Sequence, residues 1–227
     1  MGEVEGALKM EKHTKMNSTV SAPVARLALW AAVATVAFLA ILHVLSPEFD
    51  PSYRVVSEYA LGHYRWVLSL MFLAWAISSW ALAFVIRGEL RTVMARTGLA
   101  LLIVAGFGEA LASIFDLNRP ILHGIAGLLG VGGFPIAALL ISISLSRRPC
   151  WSGNGKTLLW TASLTWLSLA LLLTAMFTLT RKTGPRLPIG WPNRVLVAVY
   201  CLWVIVVAWQ AITTAEKKRM TTIAKGV

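Results

Sequence analysis

The chain has 227 residues, 57% of them hydrophobic and only 14% charged, with a mean hydropathy of +0.71. That balance excludes a soluble domain, which needs far more charge to cover its surface, and the lack of ~10-residue alternating segments excludes a membrane β-barrel. The net charge of +11 reads as an orientation signal and an attraction to anionic headgroups; no basic stripe with interleaved aromatics lies outside the apolar runs, so a nucleic-acid partner is excluded too.

Six apolar runs, at 24–46, 65–86, 97–116, 122–146, 158–180 and 195–214, are each long enough to cross a hydrocarbon core of ~30 Å as a helix. The expected fold is all-α: a polytopic bundle over 23–214, between a polar tail at 1–22, expected to be disordered, and a basic tail at 215–227. The first run exceeds the ~7–15 residues of a signal-peptide core, and SPEFDPSY behind it offers no small-x-small cleavage site, so it reads as an uncleaved helix. With the N-terminus inside, fourteen of the 21 Lys and Arg residues fall on the inner side, which predicts a multi-pass cell-membrane protein with both termini cytoplasmic. Trp66 and Trp191 near the outer ends, and Trp30, Trp151 and Trp160 near the inner ends, suit interfacial belts.

The first outer loop, HVLSPEFDPSYRVVSEYALGHYRW from His43, is the longest. Its two prolines and alternating polar groups predict an ordered interfacial segment, with Ser57-Glu58 capping a short helix laid over the bundle. The third run holds Glu109 and Asp116, seven apart and therefore stacked on one helical face, Glu109 ~10 Å the deeper. A carboxyl facing lipid near mid-membrane costs about 2.5–3.5 kcal/mol, so Glu109 should face the bundle interior, where Gly106, Gly108, Ala110 and Ala112 let another helix approach. A tight turn through Leu117, Asn118, Arg119 and Pro120 then sets His123 at the depth of Asp116, close enough for an Asp–His pair that orients the imidazole, supplies two metal ligands or merely clasps the hairpin.

The fourth run carries Gly124, Gly127, Gly130 and Gly133 at every third position, with Gly132 beside them, and Pro135 in mid-span. Packing is the first use expected of these glycines, bordering a cavity the second, and Pro135 should kink the helix. In the inner loop GNGKT resembles the end of a phosphate-binding loop, but Cys150 stands where its first glycine belongs and no strand precedes it. The last outer loop, RKTGPRLPIGWPNR, is basic where the orientation rule wants depletion, so Arg186 or Arg194 is expected to neutralise the outer acids or to hold an anionic lipid or substrate. Cys150 and Cys201 lie at different depths and should not pair.

Half of the ten acids (Glu48, Asp50, Glu58, Glu109, Asp116) and three of the four histidines (His43, His63, His123) fall in the outer loops or outer half. His43-x-x-Ser46-Pro47 with Asp50, Ser57-Glu58, Phe115-Asp116, His123-Gly124, Pro135, Gly190 and Arg194 together resemble the domain-of-unknown-function 998 family, over about residues 26–213. The resemblance implies a six-span integral membrane protein and makes Asp50, Glu58, Asp116, His123 and Arg194 a related set; it implies no particular chemistry.

Three functions follow as expectations. The first is an outward-facing site for a lipid or other amphiphile. Asp116, His123 and Glu58 would be its acid–base groups, His43, Asp50, Asp116 and His123 the ligands of a divalent metal, and Arg186, Arg194 and Glu109 the substrate-binding groups. The second is an accessory subunit without chemistry. The third is a proton-coupled transporter built on Glu109, against which stands the lack of matching polar residues in the inner halves of the helices.

Overall fold

The computed structural model describes the backbone of residues 2–179 and 188–225, and side chains within 22–177, 188–217 and at 220. Seven helices make up its regular structure: α1 (Gly2–Leu45), α2 (Arg65–Ile86), α3 (Val93–Ile114), α4 (Pro120–Gly127), α5 (Gly133–Ser146), α6 (Gly155–Leu179) and α7 (Gly190–Lys225). No strand occurs among the described residues. Six segments are long and apolar enough to cross a membrane: Ala22–Leu45, Arg65–Ile86, Val93–Ile114, Pro120–Ser146, Ser152–Phe177 and Gly190–Lys217. The six-helix membrane bundle read from hydropathy is thus the observed architecture, with α4 and α5 sharing one span. The helix α1 begins at Gly2, inside the segment expected to be a disordered tail.

The spans pack in chain order into a ring, α1 on α2, α2 on α3, α3 on α5, α5 on α6, α6 on α7, and α7 back on α1, with α2 also reaching α7 across the middle. Buried Ala25, Ala28 and Ala32 give α1 a smooth inner stripe that lets its neighbours come close. The centre is aromatic. Phe134 stacks on Tyr200 with ring centroids 4.5 Å apart, Trp203 and Trp75 meet this pair edge-on, and the Trp203 indole donates to Ser142 Oγ at 3.0 Å. Such a core supplies packing that lipid-facing leucines cannot, since tails are as apolar as the side chains they would replace.

Between α4 and α5 the backbone makes a π-helical turn, Leu128–Gly132. Pro135 accounts for the disturbance: it lacks the N–H that should bond the carbonyl of Val131, four residues back. The Tyr200 hydroxyl of α7 donates to that carbonyl at 2.9 Å, so the acceptor orphaned by the proline is met from across the bundle. Gly108 of α3 makes this turn's packing feasible, for a Cβ there would strike the backbone of Gly130 and Ala126.

Of the tryptophans expected at the interfaces, Trp30, Trp66, Trp160 and Trp191 are exposed, but Trp151 is buried under the α5–α6 turn and leaves the belt. Cys150 and Cys201 are unpaired, as their depths require.

Candidate functional site

At the end of the bundle opposite the termini, the first loop is ordered. A 3₁₀ segment, Val56–Leu61, lies over the helices, and Glu58 holds its start. One carboxylate oxygen accepts from Val55 N at 2.8 Å and the other from Arg54 Nη1 at 2.8 Å, so Glu58 does the capping expected of the Ser57-Glu58 pair. Asp50 does similar work one turn earlier, accepting from Ser52 N at 2.9 Å, and the side chain of Asn193 accepts from Val56 N at 2.8 Å, tying the segment to α7.

Arg194 sits beneath this loop, only 4% exposed. Its Nε donates to His43 Nε2 at 2.7 Å, Nη1 to the carbonyls of Arg54 at 2.6 Å and Gly190 at 3.0 Å, and Nη2 to the Tyr59 hydroxyl at 3.0 Å. His43 Nδ1 faces the Leu39 carbonyl at 2.6 Å, which makes it the donor and leaves Nε2 to accept from the guanidinium. The expectation that Arg194 neutralises the outer acids is therefore corrected: no carboxylate reaches it among the described residues, and neutral oxygens and an imidazole solvate the charge instead. Gly190 belongs to the same joint, because a Cβ there would collide with the carbonyl oxygens of Pro51 and Arg54. Arg186 lies outside the described residues.

Asp116 and His123 approach along the hairpin without pairing. The extended backbone of Phe115 (φ −101°, ψ 102°) ends α3 before Asp116, so Asp116 leaves the helical face it was expected to share with Glu109. Its carboxylate accepts from the Asn118 backbone and side chain, both at 3.0 Å, while His123 Nδ1 bonds the Phe115 carbonyl at 2.8 Å. The proposed ligands His43, Asp50, Asp116 and His123 thus answer to separate partners, and no group of three His, Cys, Asp or Glu able to hold a metal ion forms among the described residues.

What the structure does gather is a cavity of about 520 Å³ between α2, α3, α4, α6 and α7, roofed by Val55, Val56 and Ser57. This lies within the ~300–1,000 Å³ of small-molecule sites. Its wall is apolar apart from Ser57, Trp75, Glu109, His123 and Asn193. Glu109 is 3% exposed; the Ser79 hydroxyl donates to its Oε2 at 2.9 Å, and neither its Oε1 nor Trp75 Nε1 has a partner among the described residues. Glu109 therefore faces inward, as its cost in lipid demands. Leu128, Leu173 and Met176, which border the cavity, are exposed, and α4 packs on α3 with scarcely any contact to α6. Between α4 and α6, therefore, the described residues close the cavity least. Gly124 and Gly127 line it with open space where a Cβ would stand, while Gly130 packs against Glu109, so the glycine ladder serves both expected uses.

Fold and cavity together define a six-span integral membrane protein with a mostly apolar chamber. Residues 29–210 match the family described as Protein of unknown function (DUF998), and the chain belongs to that family. No curated protein and no solved structure matches significantly. Of the residues that carried the sequence resemblance, His43, Gly190 and Arg194 meet at the buried joint. His123-Gly124 borders the cavity, and Pro135 creates the orphan carbonyl beside it. Tyr59, Asn193 and Tyr200 escaped the sequence reading; only Pro135 signalled that some donor had to be found for Val131.

Proposed function

We propose that this protein binds a single-chain amphiphile that enters from the bilayer between α4 and α6. Its chain would lie along the leucines of α6 and the glycine face of α4, and its polar end would reach the polar groups of the wall. The basic-residue bias favours a cell-membrane location with cytoplasmic termini, which sets the chamber in the outer half of the membrane. One observation carries this reading: an apolar chamber of about 520 Å³, bordered by the exposed Leu128, Leu173 and Met176, holds an incompletely bonded carboxyl in its wall. Protein interiors pack to crystal-like density, so a chain lying in a chamber of this size would gain dispersion contacts all along its lining. Glu58 and Asp116 enter as the groups that shape the roof and the hairpin.

The test is quenching of tryptophan fluorescence by an ω-bromoalkyl alcohol in detergent-solubilised full-length protein. Trp75 lines the chamber, so the wild type should lose more emission than Trp75→Phe. Gly127→Leu, whose side chain projects into open space, should abolish that difference while leaving the thermal midpoint near the wild-type value. Equal quenching of wild type and Trp75→Phe would refute the reading.

A further inference from the structure

The chamber's wall also has a charge character. Among the described residues that line the chamber there is no Lys or Arg, and Glu109 is the one acid. Glu109 lies five residues short of the end of α3, some 7–8 Å along the helix. Its described polar contact is the Ser79 hydroxyl, a neutral group. The other titratable side chain in the wall, His123, turns its Nδ1 to the Phe115 carbonyl. On the same wall Phe72 and Trp75 form a parallel aromatic pair, ring centroids 6.4 Å apart at 6°.

Each feature bears on the ligand's charge. A carboxylate in apolar surroundings is costly unless a cation meets it, and no Lys or Arg of the described protein does so. The aromatic faces attract cations through their quadrupoles, more strongly where water is excluded. An anionic head would meet this acid and no Lys or Arg among the described lining residues, and like-charge rejection of this kind gives specificity as effectively as attraction does.

From these features we infer that the ligand is a single-chain amphiphile bearing one positive charge, an alkylammonium or comparable lipophilic cation, whose charge pairs with Glu109 beside Phe72 and Trp75. The inference rests on the binding reading above and narrows it to a chemical class. Arg194, expected to engage an anionic head, is committed to its joint and is not among the described residues that line this cavity.

The experiment extends the quenching assay to three ω-bromoalkyl probes of equal chain length, an amine, an alcohol and a carboxylate, at neutral pH. Wild type, Glu109→Gln and Gly127→Leu are compared in one detergent, so that each probe's partition into the micelle cancels between proteins. The wild type should bind the amine roughly tenfold or more tightly than the alcohol, as a desolvated charge pair predicts, and the carboxylate most weakly. Glu109→Gln keeps the size of the side chain and a partner for Ser79, and should bring the amine to the level of the alcohol without weakening the alcohol. Gly127→Leu should lose all three. Equal binding of the three probes, or an amine preference that survives in Glu109→Gln, would overturn the cation inference and leave the binding reading standing. Absence of specific quenching by every probe would overturn both. A Glu109→Gln protein that unfolds is replaced by Ser79→Ala with Phe72→Leu, which leaves the acid in place and should reduce the amine preference through loss of the aromatic face; an unchanged preference there counts against the inference.

Discussion

Tyr200→Phe removes one hydroxyl from a fully buried side chain, and with it the 2.9 Å bond to the Val131 carbonyl. Pro135 cannot take over, because it has no N–H to return. A buried acceptor left without its partner costs about 1–3 kcal/mol, and a neutral hydrogen bond is worth about 0.5–1.5 net, so the substitution should destabilise the bundle by about 1–2 kcal/mol. The cause is separable from the loss of a packed hydroxyl by a double-mutant cycle. Pro135→Ala restores an N–H four residues from Val131, so in that background Tyr200→Phe should cost less by about 1 kcal/mol, a coupling of the size expected for groups sharing one partner. Reversible unfolding of the four proteins in mixed micelles, followed by circular dichroism against denaturing detergent, measures the coupling. An equal cost of Tyr200→Phe in both backgrounds would show that the tyrosine does not serve the proline's orphan, and the account of the π turn would fall with it.

Gly190→Ala presses a methyl group into the carbonyls of Pro51 and Arg54, and Arg194→Lys keeps the charge while losing the fork that reaches His43, Arg54 and Tyr59 together; each should lower stability by about 2 kcal/mol or more, read as a lower thermal midpoint, and the double variant should fall short of the sum. Gly108→Ala should destabilise because its Cβ meets the backbone of Gly130 and Ala126, whereas Gly124→Ala, pointing into open space, should be neutral or stabilising by up to about 1 kcal/mol through helix propensity; the same unfolding assay checks the contrast.

The spans were legible because hydropathy is a property of single residues summed over a window, and that sum survives any detail of packing. Contacts set by backbone direction were not. Glu109 and Asp116 are seven apart in sequence, but the extended conformation of Phe115 takes Asp116 off the helix, and periodicity cannot announce that a helix stops two residues early. Arg194 was read against acids because side-chain types suggest charge pairing. Its real partners are the carbonyls of Arg54 and Gly190, the His43 imidazole and the Tyr59 hydroxyl, gathered under a loop whose shape depends on Asp50 and Glu58 capping it. Glu109 was placed correctly for the opposite reason: the cost of an acid in lipid decides its direction without reference to any partner. Trp151 shows the limit of the belt rule, since a tryptophan at interface depth is equally suited to plugging a turn.

Two adjacent residues of α7 explain why the chamber opens where it does. Asn193 accepts from Val56 at the roof, and Arg194 anchors the base of the same loop to α1 through His43 and to the 3₁₀ segment through Tyr59. Lifting the roof to admit a ligand from the aqueous side would break both attachments at once, including bonds to a buried charge worth about 1.5–3 kcal/mol each. On the other side, α4 is a helix of eight residues that leans on α3, meets α6 hardly at all, and ends in a π turn whose ladder is already incomplete. Displacing α4 or the side chains of Leu128, Leu173 and Met176 costs only apolar contacts that lipid tails replace almost equally well. The proposed ligand would therefore enter with least work through the bilayer, a route that favours amphiphiles able to partition there before they meet Glu109.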